Sequence, residues 1–118
     1  MDDTYGGVAD FVKINQLLSE LDDELVNYRN AGYQLANNEA EYRMALNIKI
    51  LEERSIGTPV TIINDLCRGD EKIALLRQLR DSAEVEYNTC REKINAIKLA
   101  IRIKNDQIAR EWARPSNM

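Results

Sequence analysis

The chain has 118 residues, 31% of them charged, a net charge of −4, only two prolines and no histidine. That length holds one small domain, and a charge-rich composition poor in breakers is that of an extended helical protein. The missing histidine excludes Ser–His and Cys–His nucleophilic sites, the usual proton shuttle and the commonest zinc ligand.

The five glycines, at 6, 7, 32, 57 and 69, spell no phosphate-binding loop. The acidic run Glu20, Asp22, Asp23 and Glu24 fans around a helix and reads as a solvated face, not a cation site. No cofactor, metal or catalytic residue is therefore expected, and the chain is read as non-enzymatic. Cys67 and Cys90 lie too far apart in the expected fold for a bridge and are read as buried thiols. No apolar run is long enough for a bilayer and no basic-then-apolar leader opens the sequence, so the expected setting is the cytoplasm, with no membrane partner.

Residues 1–8 are expected to be frayed. Over residues 10–55, Phe11, Ile14, Leu18, Leu21, Leu25 and Tyr28 recur at spacings of three and four, which predicts a helix with a heptad stripe. The stripe weakens around Gly32 and Glu39 and resumes at Tyr42, Leu46 and Ile50. Met44, Ile48 and Leu51 form a second apolar stripe beside it.

The connector GTPVTIINDLCRGD, residues 57–70, organises the chain. Pro59 has no amide hydrogen and steers Thr58 away from helix, so the first helix should stop near Ser55, with Gly57 in a left-handed conformation. Thr61 is the expected cap of a short helix over 61–68, whose apolar residues should plug the end of a hairpin, and Asp70 is the candidate cap of the next helix. Thr61, Ile62, Asp65 and Arg68 are the candidate tip contacts. The adhesion-like tripeptide Arg68–Gly69–Asp70 is read as coincidence.

Residues 70–113 repeat the rhythm through Ile73, Leu76, Ala83, Tyr87, Cys90 and onward to Trp112, interrupted at Arg80 and at Lys104 and Asn105; residues 115–118 should fray. Two long patterns of matched length around one tight connector predict an all-α, antiparallel, coiled-coil-like helical hairpin, with facing residue numbers summing to about 124. That register puts Phe11 near Trp112, Tyr42 near Ala83, and Glu20 and Asp22 opposite Lys104 and Arg102. Charge suits the arrangement: residues 1–42 carry −7 and the remainder +3.

Two helices cannot bury every apolar residue named. Ala96, Leu99 and Ile103 make a further stripe, and with Met44, Ile48 and Leu51 they are the candidate self-association or partner surface. A homodimer is the first expectation. Lys98, Arg102, Arg110 and Trp112 are the candidate nucleic-acid contacts, although partners on the acidic helix compete for the basic side chains.

The stretch Tyr42–Cys90 and the ending IKNDQIAREW carry a resemblance. The pattern is Gly57, Pro59, Val60, Thr61 and Ile63, then Arg68–Glu71, then Arg80, Asp81, Ala83, Glu84 and Tyr87. It resembles a family of short, largely uncharacterised proteins encoded by phages and prophages of Gram-positive bacteria, often in early regions near recombination and replication functions. The resemblance implies no catalytic residues. It implies an early interaction protein whose partner is a host protein or part of the phage recombination or replication apparatus. The alternatives are an inhibitor of a bacterial anti-phage defence system and a nucleic-acid-binding accessory factor. A phage-encoded chain would act in the host cytoplasm.

Overall fold

The structure is a computed structural model that describes residues 3–113, with side chains described from residue 7. It is all-α, a helical hairpin, and the described residues contain no strand. Helix α1 runs Asp3–Ser55, α2 runs Val60–Gly69 and α3 runs Glu71–Ala113. The first helix thus begins at Asp3, where fraying was expected up to residue 8. Once a helix is nucleated each further turn is cheap, and the two glycines at 6 and 7 cost only about 1 kcal/mol each. The expected frayed end 115–118 lies outside the described residues.

Ser55 ends α1, and Gly57 takes φ +81°. That left-handed backbone suits glycine and satisfies the last turn: the Gly57 amide donates to the Arg54 carbonyl and the Thr58 amide to the Glu53 carbonyl. The short helix begins one residue before Thr61, with Pro59 as its N-cap residue and no side-chain cap bond. Thr61 is therefore not the cap: it lies inside the helix, and the Pro59 carbonyl accepts from the Ile62 amide instead. Asp70 does cap α3. Its Oδ1 accepts from the Ile73 amide at 3.0 Å.

The chain divides into two compact units. One joins the residues up to Tyr28 with those from Cys90 on, and the other is Arg29–Thr89. In the terminal unit the α1 seam is Asp10, Ile14, Leu17, Leu21, Glu24 and Tyr28, all buried or half-buried, and the α3 seam is Cys90, Ile94, Ile97, Ile101, Lys104 and Ile108. Spacings alternate between three and four throughout. Ile14, Leu21 and Tyr28 belong to the expected stripe, but Phe11, Leu18 and Leu25 are exposed. Their places on the seam go to Asp10, Leu17 and Glu24. The physical reason is visible at the first of these: Lys104 Nζ and Asp10 Oδ1 lie 2.6 Å apart, so a charged pair holds a seam level that an apolar scan passes over. Lys104 consequently pairs with Asp10, where Glu20 was expected. Trp112, the expected end of the α3 stripe, is 77% exposed.

In the Arg29–Thr89 unit the seam is Ala31, Leu35, Asn38, Tyr42 and Ala45 on α1 and Ile73, Leu76, Arg80, Ala83 and Tyr87 on α3. Facing residues sum to 119 at Lys49–Asp70 and Glu39–Arg80, and at Gly32–Tyr87, where a Cβ on Gly32 would come within 3.3 Å of the Tyr87 ring. The expected register of about 124 is thus displaced by five residues, and Tyr42 meets Arg80 where Ala83 was expected. The Arg80 guanidinium stands 4.5 Å from the Tyr42 ring centre. Arg80, read as an interruption, is a seam residue.

The connector helix lies along a flank of the pair. Ile63 and Cys67, 3% and 2% exposed, join Ile73 in a core against Tyr42, Ala45, Leu46 and Ile50. Val60, Ile62 and Leu66 stay exposed, so of the four expected plug residues only Ile63 is buried. Both cysteines are buried and unbridged.

Candidate interaction surfaces

Where α1 leaves the hairpin, four polar residues converge in the Arg29–Thr89 unit. Glu53 is 9% exposed. Its carboxylate accepts from Thr58 Oγ1 at 2.7 Å and from Lys49 Nζ at 3.0 Å, and Lys49 also reaches Asp70 at 3.8 Å. The hydrogen bond from Thr58, reinforced by Lys49, holds the Glu53 carboxyl below the usual glutamate range. The bond to Glu53 likewise raises Lys49. The cluster ties the turn to both long helices and consumes the aspartate of the Arg68–Gly69–Asp70 tripeptide as cap and ion-pair partner.

A carboxyl whose folded value is depressed binds fewer protons folded than unfolded. Its stabilisation is therefore complete above the unfolded value of about 4.3 and is lost as pH falls through the folded one. Lysine gives the opposite limb, lost as pH rises above about 10.4. Glu53→Gln is accordingly expected to lower the thermal midpoint at pH 7, with the gap to the parent closing below about pH 4.3. Melting curves across pH 3–7 check this, and a gap independent of pH would contradict it.

Residues immediately after a seam position flank one side of a helix pair, and those immediately before flank the other. In an antiparallel pair, residues of the same kind share a side. The groove of about 480 Å³ lined by Gly32, Leu35, Ala36, Glu39, Glu84 and Tyr87 displays this directly, since Gly32, Glu39 and Glu84 all follow seam positions and open onto one space. Helix α2 covers the same flank further along, over Leu46 and Ile50. The opposite flank of this unit is bare. Met44 (60% exposed) and Ile48 (57%) precede seam positions on α1, and Leu75 (55%) and Leu79 (46%) precede them on α3. Leu51, one turn from Ile48, extends the row. The sequence singles out Met44, Ile48 and Leu51 as an apolar stripe, whereas Leu75 and Leu79 join that flank only once register and direction are known.

Among the residues following seam positions in the terminal unit, which also include Asn15, Asp22 and Asn95, six form two rows: Phe11, Leu18 and Leu25 on α1 and Arg91, Lys98 and Arg102 on α3. All six are exposed. Apolar and cationic rows therefore run side by side, a combination that the apolar periodicity hides because it places the three α1 residues on the seam. Ala96, Leu99 and Ile103 are exposed on α3 as well, but on other faces of that helix, and Arg110 is exposed near its end. Ala96, Leu99 and Ile103 lie in the terminal unit, and Met44, Ile48 and Leu51 in the Arg29–Thr89 unit. Thr61, Ile62, Asp65 and Arg68 are all exposed on α2, as tip contacts require.

Among the described residues no group of three or more His, Cys, Asp or Glu could hold a metal ion, and no helix is long and apolar enough to cross a membrane. Comparison of the chain with models of protein families, with curated proteins and with solved structures finds no match.

Proposed function

We propose that the chain is a non-enzymatic phage protein that works by binding other proteins: a helical hairpin that engages a protein of the host or of the phage recombination and replication apparatus. One observation carries the reading. Among the described residues, twenty large apolar side chains are exposed while eight apolar residues are buried. So many large apolar side chains left in contact with water offer surface for a partner to cover. The phage assignment rests on the resemblance carried by Gly57–Ile63, Arg68–Glu71 and Arg80–Tyr87.

The partner surface is the flank on which Phe11, Leu18 and Leu25 run beside Arg91, Lys98 and Arg102. It fits an amphipathic helix with an apolar stripe bordered by acids. Tagged protein retrieved from infected cells should bring down a discrete partner, and Leu18→Asp with Leu25→Asp should lose it while circular dichroism stays that of the parent. Equal recovery by both proteins, or of nothing but the bait, would refute the reading.

The same cations favour a second reading, a nucleic-acid-binding accessory factor with Lys98, Arg102 and Arg110 on phosphates and Trp112 stacking. Gel-shift affinity falling steeply with salt, and lost in Lys98→Glu with Arg102→Glu, would select it. No shift at low salt would remove it.

A further inference from the structure

We infer that the bare flank of the Arg29–Thr89 unit, formed by Met44, Ile48, Leu51, Leu75 and Leu79, is covered by a second copy of this chain. The unit is one-sided. Helix α2 seals Leu46 and Ile50 on one flank with Ile63 and Cys67, whereas the opposite flank exposes five large apolar side chains, each 46–60% exposed. At roughly 100 Å² apiece they present about 500 Å², more than half of the about 800 Å² per partner in a stable interface. Charged stems at the rim supply the balance.

The pattern is self-complementary, which a two-fold contact demands. With facing residues summing to 119, Met44 and Leu75 stand at one level. A two-fold axis lying in the interface at that level turns the second copy end for end. Each Ile48 then comes to the height of the second copy's Leu79. Each Lys72 comes to the height of its Glu41. Both charged residues are exposed and precede seam positions, so they border the apolar row on the correct side. Leu79 and Ile48 fill the layers on either side of the central Met44 and Leu75, and the product is a four-helix bundle over this unit. The terminal unit's apolar and cationic flank takes no part, so this inference stands or falls separately from the partner binding proposed above.

Analytical ultracentrifugation of the full chain should show a monomer–dimer equilibrium at micromolar concentration. Ile48→Glu and Leu79→Glu, both at exposed sites, should each weaken it at least about tenfold with unchanged helicity, whereas Leu18→Glu and Ile62→Glu should leave it intact. Lys72→Glu should weaken the dimer, and Lys72→Glu combined with Glu41→Lys should restore it, a readout that does not depend on an apolar side chain being tolerated as glutamate. A parent monomeric at hundreds of micromolar, a dimer indifferent to residues 48 and 79, or one dissolved by Leu18→Glu would overturn the inference. So would a charge exchange that fails to rescue.

Discussion

Ile73→Ala should remove about 2–5 kcal/mol of stability, the largest effect expected of any single truncation in this chain. Ile73 is 4% exposed and sits in the first turn of α3, where all three helices meet: Ile63 and Cys67 approach from α2, and Tyr42, Ala45, Leu46 and Ile50 from α1. Deleting its outer carbons forfeits their transfer energy. It also leaves a void that cannot close readily, because Asp70 Oδ1 pins the residue's own amide. The consequence extends beyond the site. The buried apolar grip of α2 is the pair Ile63 and Cys67, so a void opposite them should loosen the connector before the long helices part. Urea unfolding followed by circular dichroism should show the loss, and limited proteolysis should cut faster between residues 56 and 70. Val85→Ala, at a site 66% exposed, should stay within about 0.5 kcal/mol of the parent. If the two variants were equally affected, Ile73 would not be the junction of the fold.

What could be read from the sequence follows the range over which each signal acts. The stop at Ser55, the left-handed Gly57 and the Asp70 cap are legible because a breaker or a short acceptor acts within a few residues of itself. The all-α class is legible because a three–four rhythm sustained over more than forty residues has no competitor. The choice between adjacent positions was not legible. Phe11, Leu18 and Leu25 complete an apolar three–four pattern with Ile14, Leu21 and Tyr28, but so do Asp10, Leu17 and Glu24 if charges are admitted, and the structure takes the second set. Charged seam residues are hidden from an apolar scan by construction. They are also what fixes the register, so the expected alignment slid by five residues, or ~7.5 Å along the axis, in the Arg29–Thr89 unit and by ten at Asp10–Lys104.

The candidate surfaces inherited that error. With α1 misassigned, three surface residues were counted as core, and the α3 half of the bare flank had no reason to join Met44 and Ile48. The Lys49–Glu53 pair was visible as an i,i+4 spacing. Its connection to Thr58 and Asp70 needed the turn to be folded.

Arg80 is the sharpest test of the idea that charged seam residues set alignment more than stability. It occupies the seam level between Leu76 and Ala83, with its side chain 23% exposed. The guanidinium donates to Asp81 Oδ1 through Nε at 3.0 Å and Nη2 at 2.8 Å. It also approaches Glu39 at 3.5 Å and stacks on Tyr42. Beside it, Asn38 Nδ2 donates to the Leu79 carbonyl at 3.3 Å, a second polar tie between the same helices.

Arg80→Glu would set a third carboxylate against Glu39 and Asp81 and forfeit the ring contact. It should cost roughly 2–3 kcal/mol, below the range for breaking a fully buried charge pair because the site is partly wet. Arg80→Leu makes the opposite prediction. An apolar residue at this level rejoins the heptad pattern, and losing the guanidinium strands no buried charge, because Glu39 keeps Arg43 at 2.6 Å and the Asp81 side chain is 56% exposed, so stability should lie within about 1 kcal/mol of the parent or above it. What the leucine variant should lose is uniqueness of alignment, since an apolar seam tolerates sliding that a charge pair forbids. Spin labels at residues 43 and 77, both in the Arg29–Thr89 unit, should give one narrow distance distribution in the parent and a broader or shifted one in Arg80→Leu. A leucine variant as unstable as the glutamate variant, with its distances unchanged, would show that the guanidinium serves packing and not register.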